Sequence, residues 1–275
     1  MIEKNQLTQN IDLSFLDRPE ILQLVFYPRQ EVIKDPDVVE ILVSVTESIK
    51  ISCRWHFVDK NAPTVLFFHG NGEIASDYDE LAPAYNKIGL NLFVADYRGY
   101  GQSNGSPTLT AMMQDAHIIF SYLRGFLEEK NYYQAIIVMG RSLGSASAIE
   151  IASQHPQQIK GIIIESGYAH TYKLFRRLGV PSAYLPPEKE REVSNLEKIK
   201  KVQLPTLIIH AQNDHIIPLQ DGKDLYDSIA TIKEEKELVI IPQADHNSIL
   251  YFGFEIYFKS LKKFFLKLGV LKSSS

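Results

Sequence analysis

With 275 residues, 45% hydrophobic and 23% charged, the chain has enough apolar material for one large packed domain or two small ones. Its 29 basic and 33 acidic residues leave a formal charge of −4, and no stretch is strongly basic, which argues against a nucleic-acid partner. The one cysteine, Cys53, cannot close an internal disulfide, and its place in the alternating run "KISCRWHF" reads as a small buried hydrophobe.

Residues 1–36 hold a short apolar run, "ILQLVFYP", between charged flanks. They read as an extension packed on a single domain over 37–275. The opening residues lack the basic start and continuous apolar run of a signal peptide. Nowhere does an apolar run approach the roughly 20 residues that cross a bilayer. The expectation is a cytoplasmic protein.

Short β-branched and aromatic runs follow at 38–45, 49–58, 64–69, 90–96, 135–140, 161–166, 206–211 and 237–242. The first two alternate apolar and polar residues, as half-exposed antiparallel strands do. The other six are nearly continuous apolar runs, as strands covered on both faces are. Helical patterns occupy 77–88, 109–129, 143–154, 221–230 and 247–268. Strand and helix in alternation mean βαβ units, so the fold class is α/β: an eight-stranded, mostly parallel sheet with helices on both faces. Residues 167–202, after the sixth strand, form the longest insertion. Their "LGVPSAYLPPEKEREV" is broken by prolines and leads into a charged stretch. They read as a short helix, an irregular apolar stretch and a solvated helix, and insertions at this end of an α/β sheet often roof the ligand crevice.

The fifth apolar run stops at "GRSLG", residues 140–144, which fits G-x-S-x-G. A buried strand precedes it, and a helix opening with the small residues Ser145, Ala146 and Ala148 follows. A tight strand-to-helix turn in strained backbone geometry would leave no room for side chains at either glycine. It would lift Ser142 above the strand tops at a helix N-terminus, as a nucleophile elbow does.

Here the chain resembles the α/β-hydrolase superfamily over roughly residues 36–268. The segments "FYPR" (26–29), "HGNG" (69–72), "DYRGYGQS" (96–103), "GRSLG", "NDHIIP" (213–218) and "DHNSI" (245–249) look like the small, lid-poor serine hydrolases. That group includes eukaryotic protein depalmitoylases and many bacterial proteins. The N-terminal cysteine cluster of the depalmitoylase type is missing, a departure that bears on stable membrane anchoring and on that substrate.

The resemblance implies a chain order of serine, acid, histidine. Of eight histidines, His246 lies after the last strand, where the family places its base. Asp214, in "QNDHIIP", stands at the family position of the acid that orients the imidazole. Glu165 at the end of the sixth strand is the alternative, since some relatives use an acid there, and Asp245 adjoins His246 and faces the wrong way. The oxyanion donors implied are the backbone N–H groups of Asn71 and Leu143. His69 reads as a brace of its loop, His210 as packed, and His215 as pointing elsewhere.

In "DYRGYGQSNGSP" the glycines allow a folded loop that Asp96 and Arg98 can fix by charge-assisted hydrogen bonds. Its glycines open no helix and lack dinucleotide-binding spacing. A metal held by Asp214, His215, Asp245 and His246 is disfavoured, because the triad already uses two of them. No cofactor is expected. The last helix carries apolar residues at 254, 257, 258, 261, 264, 265 and 268, opposite Lys259, Lys262, Lys263 and Lys267. It reads as a helix packed on the sheet whose basic face could touch anionic membranes weakly.

The expected activity is hydrolysis of a carboxylic ester or thioester, with an amide a further candidate, through an acyl-enzyme on Ser142. The substrate is a small molecule or acyl chain. The site is expected to be open, with an acyl pocket lined from 167–186, Tyr168 and Tyr184 included. An acyltransferase on the same triad and a catalytically silent binding module remain alternatives. Oligomeric state is not legible.

Overall fold

The computed structural model describes residues 11–31, 38–133 and 135–271. Part of the 1–36 extension, and the serines at the end of the chain, lie outside the described residues.

The eight apolar runs become β1 (Val39–Ser44), β2 (Lys50–His56), β3 (Thr64–Phe68), β4 (Asn91–Ala95), β5 (Ile136–Arg141), β6 (Gly161–Glu165), β7 (Thr206–Ala211) and β8 (Lys236–Ile241). They form one sheet in the order β1-β2-β4-β3-β5-β6-β7-β8. β2 is antiparallel to both of its neighbours, and every pairing from β4 to β8 is parallel.

The helices are α1 (Pro19–Val25), α2 (Ala82–Lys87), α3 (Leu109–Glu129), α4 (Ser145–Gln154), α5 (Thr171–Arg177), α6 (Glu190–Val193), α7 (Asn195–Ile199), α8 (Leu219–Ser228) and α9 (Ile249–Lys267). Because side chains alternate along a strand, the sheet feeds two cores. Leu66, Val138, Ile164 and Ile208 face the larger one, with residues of α1, α3, α4, α5, α7 and α8. Val65, Met139, Ile163 and Ile209 face the other, under α2 and α9. Leu13, Leu16, Ile21, Val25 and Phe26 belong to the larger core, so this N-terminal stretch is built into the molecule.

Two strands depart from the sequence pattern. β2 is buried at five consecutive positions, because its polar residues Ser52 and Arg54 lie under carboxylates. Ser52 Oγ donates to Glu40 at 2.9 Å, and Arg54 pairs with Glu31. β8 reads as doubly covered yet is an edge strand, partly exposed along most of its length. Cys53 is fully buried, and that burial pushes its thiol well up.

The insertion contains α5, α6 and α7 and an irregular proline-rich link. Its final helices are less solvated than their charge suggests, since Asn195 and Ile199 are buried. On α9, five of the expected core positions are buried, but Phe254 is exposed and turns its ring onto Phe258. A break in the helix at Gly253 rotates the first turn out of phase with the rest. Gly253 is tightly placed, since a Cβ there would lie 2.4 Å from Ile241.

Candidate active site

The site lies at the carboxyl ends of β3, β5, β7 and β8, where an open α/β sheet leaves its crevice. β5 runs straight into the turn holding Ser142. Ser142 has φ of +51°, in the left-handed region that non-glycine residues seldom enter. The turn is closed sterically: a Cβ on Gly140 would lie 2.3 Å from Gly144 O, and one on Gly144 would lie 2.1 Å from Phe68 O. Ser145 Oγ donates to Ser142 O at 2.6 Å and holds the turn against α4.

The structure brings Ser142, His246 and Asp214 together. Ser142 Oγ lies 2.8 Å from His246 Nε2, and His246 Nδ1 lies 2.7 Å from Asp214 Oδ2. An Nδ1 facing a carboxylate carries the proton, so Nε2 is free to accept from the serine hydroxyl. Asp214 also accepts backbone N–H bonds from Ile216 at 3.0 Å and Ile217 at 2.8 Å. Burial works against its ionisation, but these bonds and His246 outweigh it and hold the carboxyl below its ordinary range.

His210 is fully buried, gives Nε2 to Ile217 O at 2.9 Å and stands 3.7 Å from Asp214. His215 is exposed. Asp245 is bound to Ser248 Oγ and Asn247 N, away from the imidazole. Glu165 does not reach His246, because its oxygens take Arg141 Nε at 3.1 Å and Tyr257 OH at 2.7 Å. Among the described residues no group of three or more His, Cys, Asp or Glu is placed to hold a metal.

The loop after β3 is fixed from several sides. His69 Nδ1 donates to Gly70 O at 2.8 Å, its Nε2 faces Asp96 at 3.1 Å, and Tyr97 OH donates to His69 O. Holding the Gly70 carbonyl turns the N–H of Asn71 the opposite way, because the two share a planar trans peptide. The Asn71 side chain is not idle. Its Oδ1 accepts from Tyr27 N and Tyr100 OH, and its Nδ2 donates to Val25 O, tying the loop to the end of α1 and the segment after it. Asp96 and Arg98 fix their loop through separate partners: Arg98 forms a two-pronged pair with Asp115 of α3. Asp96 instead accepts from His69 and Ala75 N.

Sequence reasoning missed a cluster beside the triad. Arg141 sits at the first free position of the elbow motif, where the pattern specifies nothing, and its side chain turns under the site toward Glu73 and Glu165. A cavity of about 410 Å³ opens next to it, lined by Glu73, Tyr78, Arg141, Glu165, Asn247 and Tyr257 among others. None of its lining comes from 167–186. Of the two tyrosines expected in an acyl pocket, Tyr168 is buried in the larger core, and Tyr184 packs its ring 4.6 Å from the Arg18 guanidinium.

Comparison with known proteins agrees with this architecture. A family model described as serine aminopeptidase, S33, matches residues 59–179. The uncharacterized protein YfhR of Escherichia coli K12 is 28% identical over 189 residues, which are 68% of this chain and 64% of YfhR. The match thus spans just under two thirds of that relative's length. The α/β hydrolase domain-containing protein WAV2 of Arabidopsis thaliana is 26% identical over 227 residues, covering 77% of this chain and 72% of WAV2. In structure, the Pyrococcus furiosus esterase Pf2001 superposes with a TM-score of 0.71 at 21% identity, over 88% of this chain and 99% of the esterase. Est1E of Butyrivibrio proteoclasticus, in its complex with ferulic acid, gives a TM-score of 0.69 at 18% identity, over 84% and 100%. These structural likenesses carry the fold. The chain has the α/β-hydrolase fold.

Proposed function

We propose that the protein is a serine hydrolase that cleaves a carboxylic ester or thioester through an acyl-enzyme on Ser142. The observation that carries this reading is the unbroken contact from Ser142 Oγ to His246 Nε2 and from His246 Nδ1 to Asp214. A serine hydroxyl is a poor nucleophile at neutral pH without a base in hydrogen-bond reach. His246 takes its proton as Oγ attacks the acyl carbon, and Asp214 steadies the imidazolium that forms. The negative charge then on the carbonyl oxygen is received by the N–H groups of Asn71 and Leu143. His246 returns the proton to the departing alcohol or thiol. A water repeats the sequence in reverse and frees the acid. The likeness to the Pyrococcus furiosus protein described as an esterase supports the ester reading.

The partner proposed is a small molecule or acyl chain. The exposed side of α9 adds a second contact. Tyr251, Phe252 and Ile256 stand out on it, followed by Lys259, Lys262, Lys263 and Lys267. Apolar rings continued by positive charge fit an anionic membrane surface. Among the described residues no helix is long and apolar enough to cross a membrane.

The test is labelling with a fluorophosphonate together with turnover of p-nitrophenyl esters from acetyl to palmitoyl, for wild type, Ser142→Ala and His246→Ala. Labelling and turnover in the wild type that vanish in Ser142→Ala support the reading. A folded wild type that neither labels nor turns over points to a silent binding module. Transfer of the acyl group to added alcohols in preference to water points to an acyltransferase.

A further inference from the structure

Arg141 is tied to three segments that carry the proposed chemistry: the elbow, the loop after β3 and the His246 loop. It belongs to the elbow, next to Ser142. Its Nη2 donates to the backbone carbonyl of His246 at 2.8 Å and reaches Asn247 Oδ1 at 3.3 Å. Its Nη1 pairs with Glu73, whose other oxygen accepts the N–H of Gly70 at 2.7 Å and Tyr78 OH at 2.8 Å. Its Nε donates to Glu165, held in turn by Tyr257 of α9. Gly70 makes room for this crossing, since a Cβ there would lie 2.6 Å from Arg141 Nη1.

We propose that Arg141 is a positioning residue for the reaction, a single guanidinium that fixes the spacing between the nucleophile turn, the Asn71 loop and the His246 loop. This rests on the serine-hydrolase reading of the same site. The chemistry asks for such a part. His246 comes from a loop after an edge strand, so the sheet alone sets its distance from Ser142 on one side only. A lone Nζ could satisfy one of these acceptors well. A planar guanidinium presents donors in several directions at once and so can reach the carbonyl and both carboxylates together. Two carboxyl groups surround one guanidinium in this buried site, and burial raises the Glu165 carboxyl above its ordinary range. Arg141 stays charged within it, since the carboxylates outweigh the cost of burial. Burial works against the ionisation of Glu73, but Arg141 outweighs it and holds the carboxyl below its ordinary range.

The test uses the full chain and p-nitrophenyl butyrate. Arg141→Ala should lower kcat about 100-fold, the scale of a 1 Å misplacement, while KM changes by less than about threefold. Methylguanidinium at tens of millimolar, entering the space vacated beside the cavity, should restore Arg141→Ala at least about fivefold and leave wild type and Ser142→Ala unchanged. Arg141→Lys should stay impaired. Glu73→Gln, which alters one acceptor and keeps the shape, should lower kcat about tenfold without methylguanidinium rescue and serves if Arg141→Ala does not fold. A kcat within about threefold of wild type in either variant overturns the proposal, as does a loss carried by KM or one that methylguanidinium leaves untouched. If Ser142→Ala abolishes turnover while Arg141→Ala is unimpaired, only the positioning role falls. Turnover surviving Ser142→Ala removes the underlying reading.

Discussion

The α-carbon of Gly144 faces the carbonyl oxygen of Phe68 so closely that a Cβ would stand 2.1 Å from it. That contact locks the elbow to the end of β3, and so sets Ser142 beside the Asn71 loop. Backbone faces backbone, so nothing flexible can yield. Gly144→Ala should therefore lower stability by about 3 kcal/mol or more, in the range of overpacked cores and strained backbone, and abolish turnover. Chemical denaturation and ester hydrolysis check it. An active variant of wild-type stability would show that the turn can open.

Ser142 holds its place at the turn at the cost of backbone strain. Ser142→Ala keeps a Cβ in the left-handed region, and Ser142→Gly does not. The glycine variant should be more stable than the alanine variant by about 1 kcal/mol, with both inactive. Equal denaturation midpoints would mean that the turn relaxes when the hydroxyl is lost.

Asp214→Asn keeps the shape but replaces the acceptor that places the proton on His246 Nδ1. A fall in kcat of about 10³ to 10⁴, with little change in KM, is expected. Loss of less than about tenfold would shift the orienting role to another group.

Acid should weaken the fold in two stages. Burial, reinforced by Arg54, brings His56 down to about 4, and burial, then His117, brings His155 down to about 4. Both are lower than the ordinary 6.5, so the folded state binds fewer protons than the unfolded one. Their stability is complete above 6.5 and is lost as pH falls from there through 4. Glu150 is lowered to about 2, burial being outweighed by His117 and Lys198, so its contribution survives down to 4.5 and goes between 4.5 and 2. Melting temperatures followed from neutral pH downward should fall through the first window, and His155→Gln should flatten that fall. An unchanged slope in the variant would remove His155 from the account.

On the surface of α9, Tyr251 is 85% exposed, an unusual state for a large aromatic ring. Co-sedimentation with phosphatidylglycerol vesicles should exceed that with phosphatidylcholine vesicles, fall with added salt, and drop in the Tyr251→Ser, Phe252→Ser double variant. Equal partition to both vesicles, or none to either, would dismiss the membrane contact.

All eight strands stand within a residue or two of the sequence runs, because runs such as "GIIIES" have no other stable use than a strand covered on both faces. The reading went astray where burial depends on distant partners. β8 carries four consecutive apolar residues but ends the sheet, and β2 carries Arg54 yet is buried because Glu31 meets it from before β1. Phe254 fits the helical period, but Gly253 breaks that period just before it.

For the candidate site, the sequence alone determined the residue types and their order. A G-x-S-x-G after a buried strand implies a turn whose glycines are sterically required. The resemblance to the α/β hydrolases then implies an acid and a histidine after later strands, at the same sheet edge. Only the tertiary structure decided which groups touch. It chose Asp214 over Glu165 for contact with His246, since Glu165 is taken by Arg141 and Tyr257. It paired Arg98 with Asp115, and it drew Arg141, Glu73 and the His246 carbonyl into one cluster. The physical reason is range. Hydrophobic periodicity and turn geometry act over a few neighbouring residues. A hydrogen bond depends on ångström distances between groups that lie 68 to 105 positions apart in this cluster, and no local pattern encodes those.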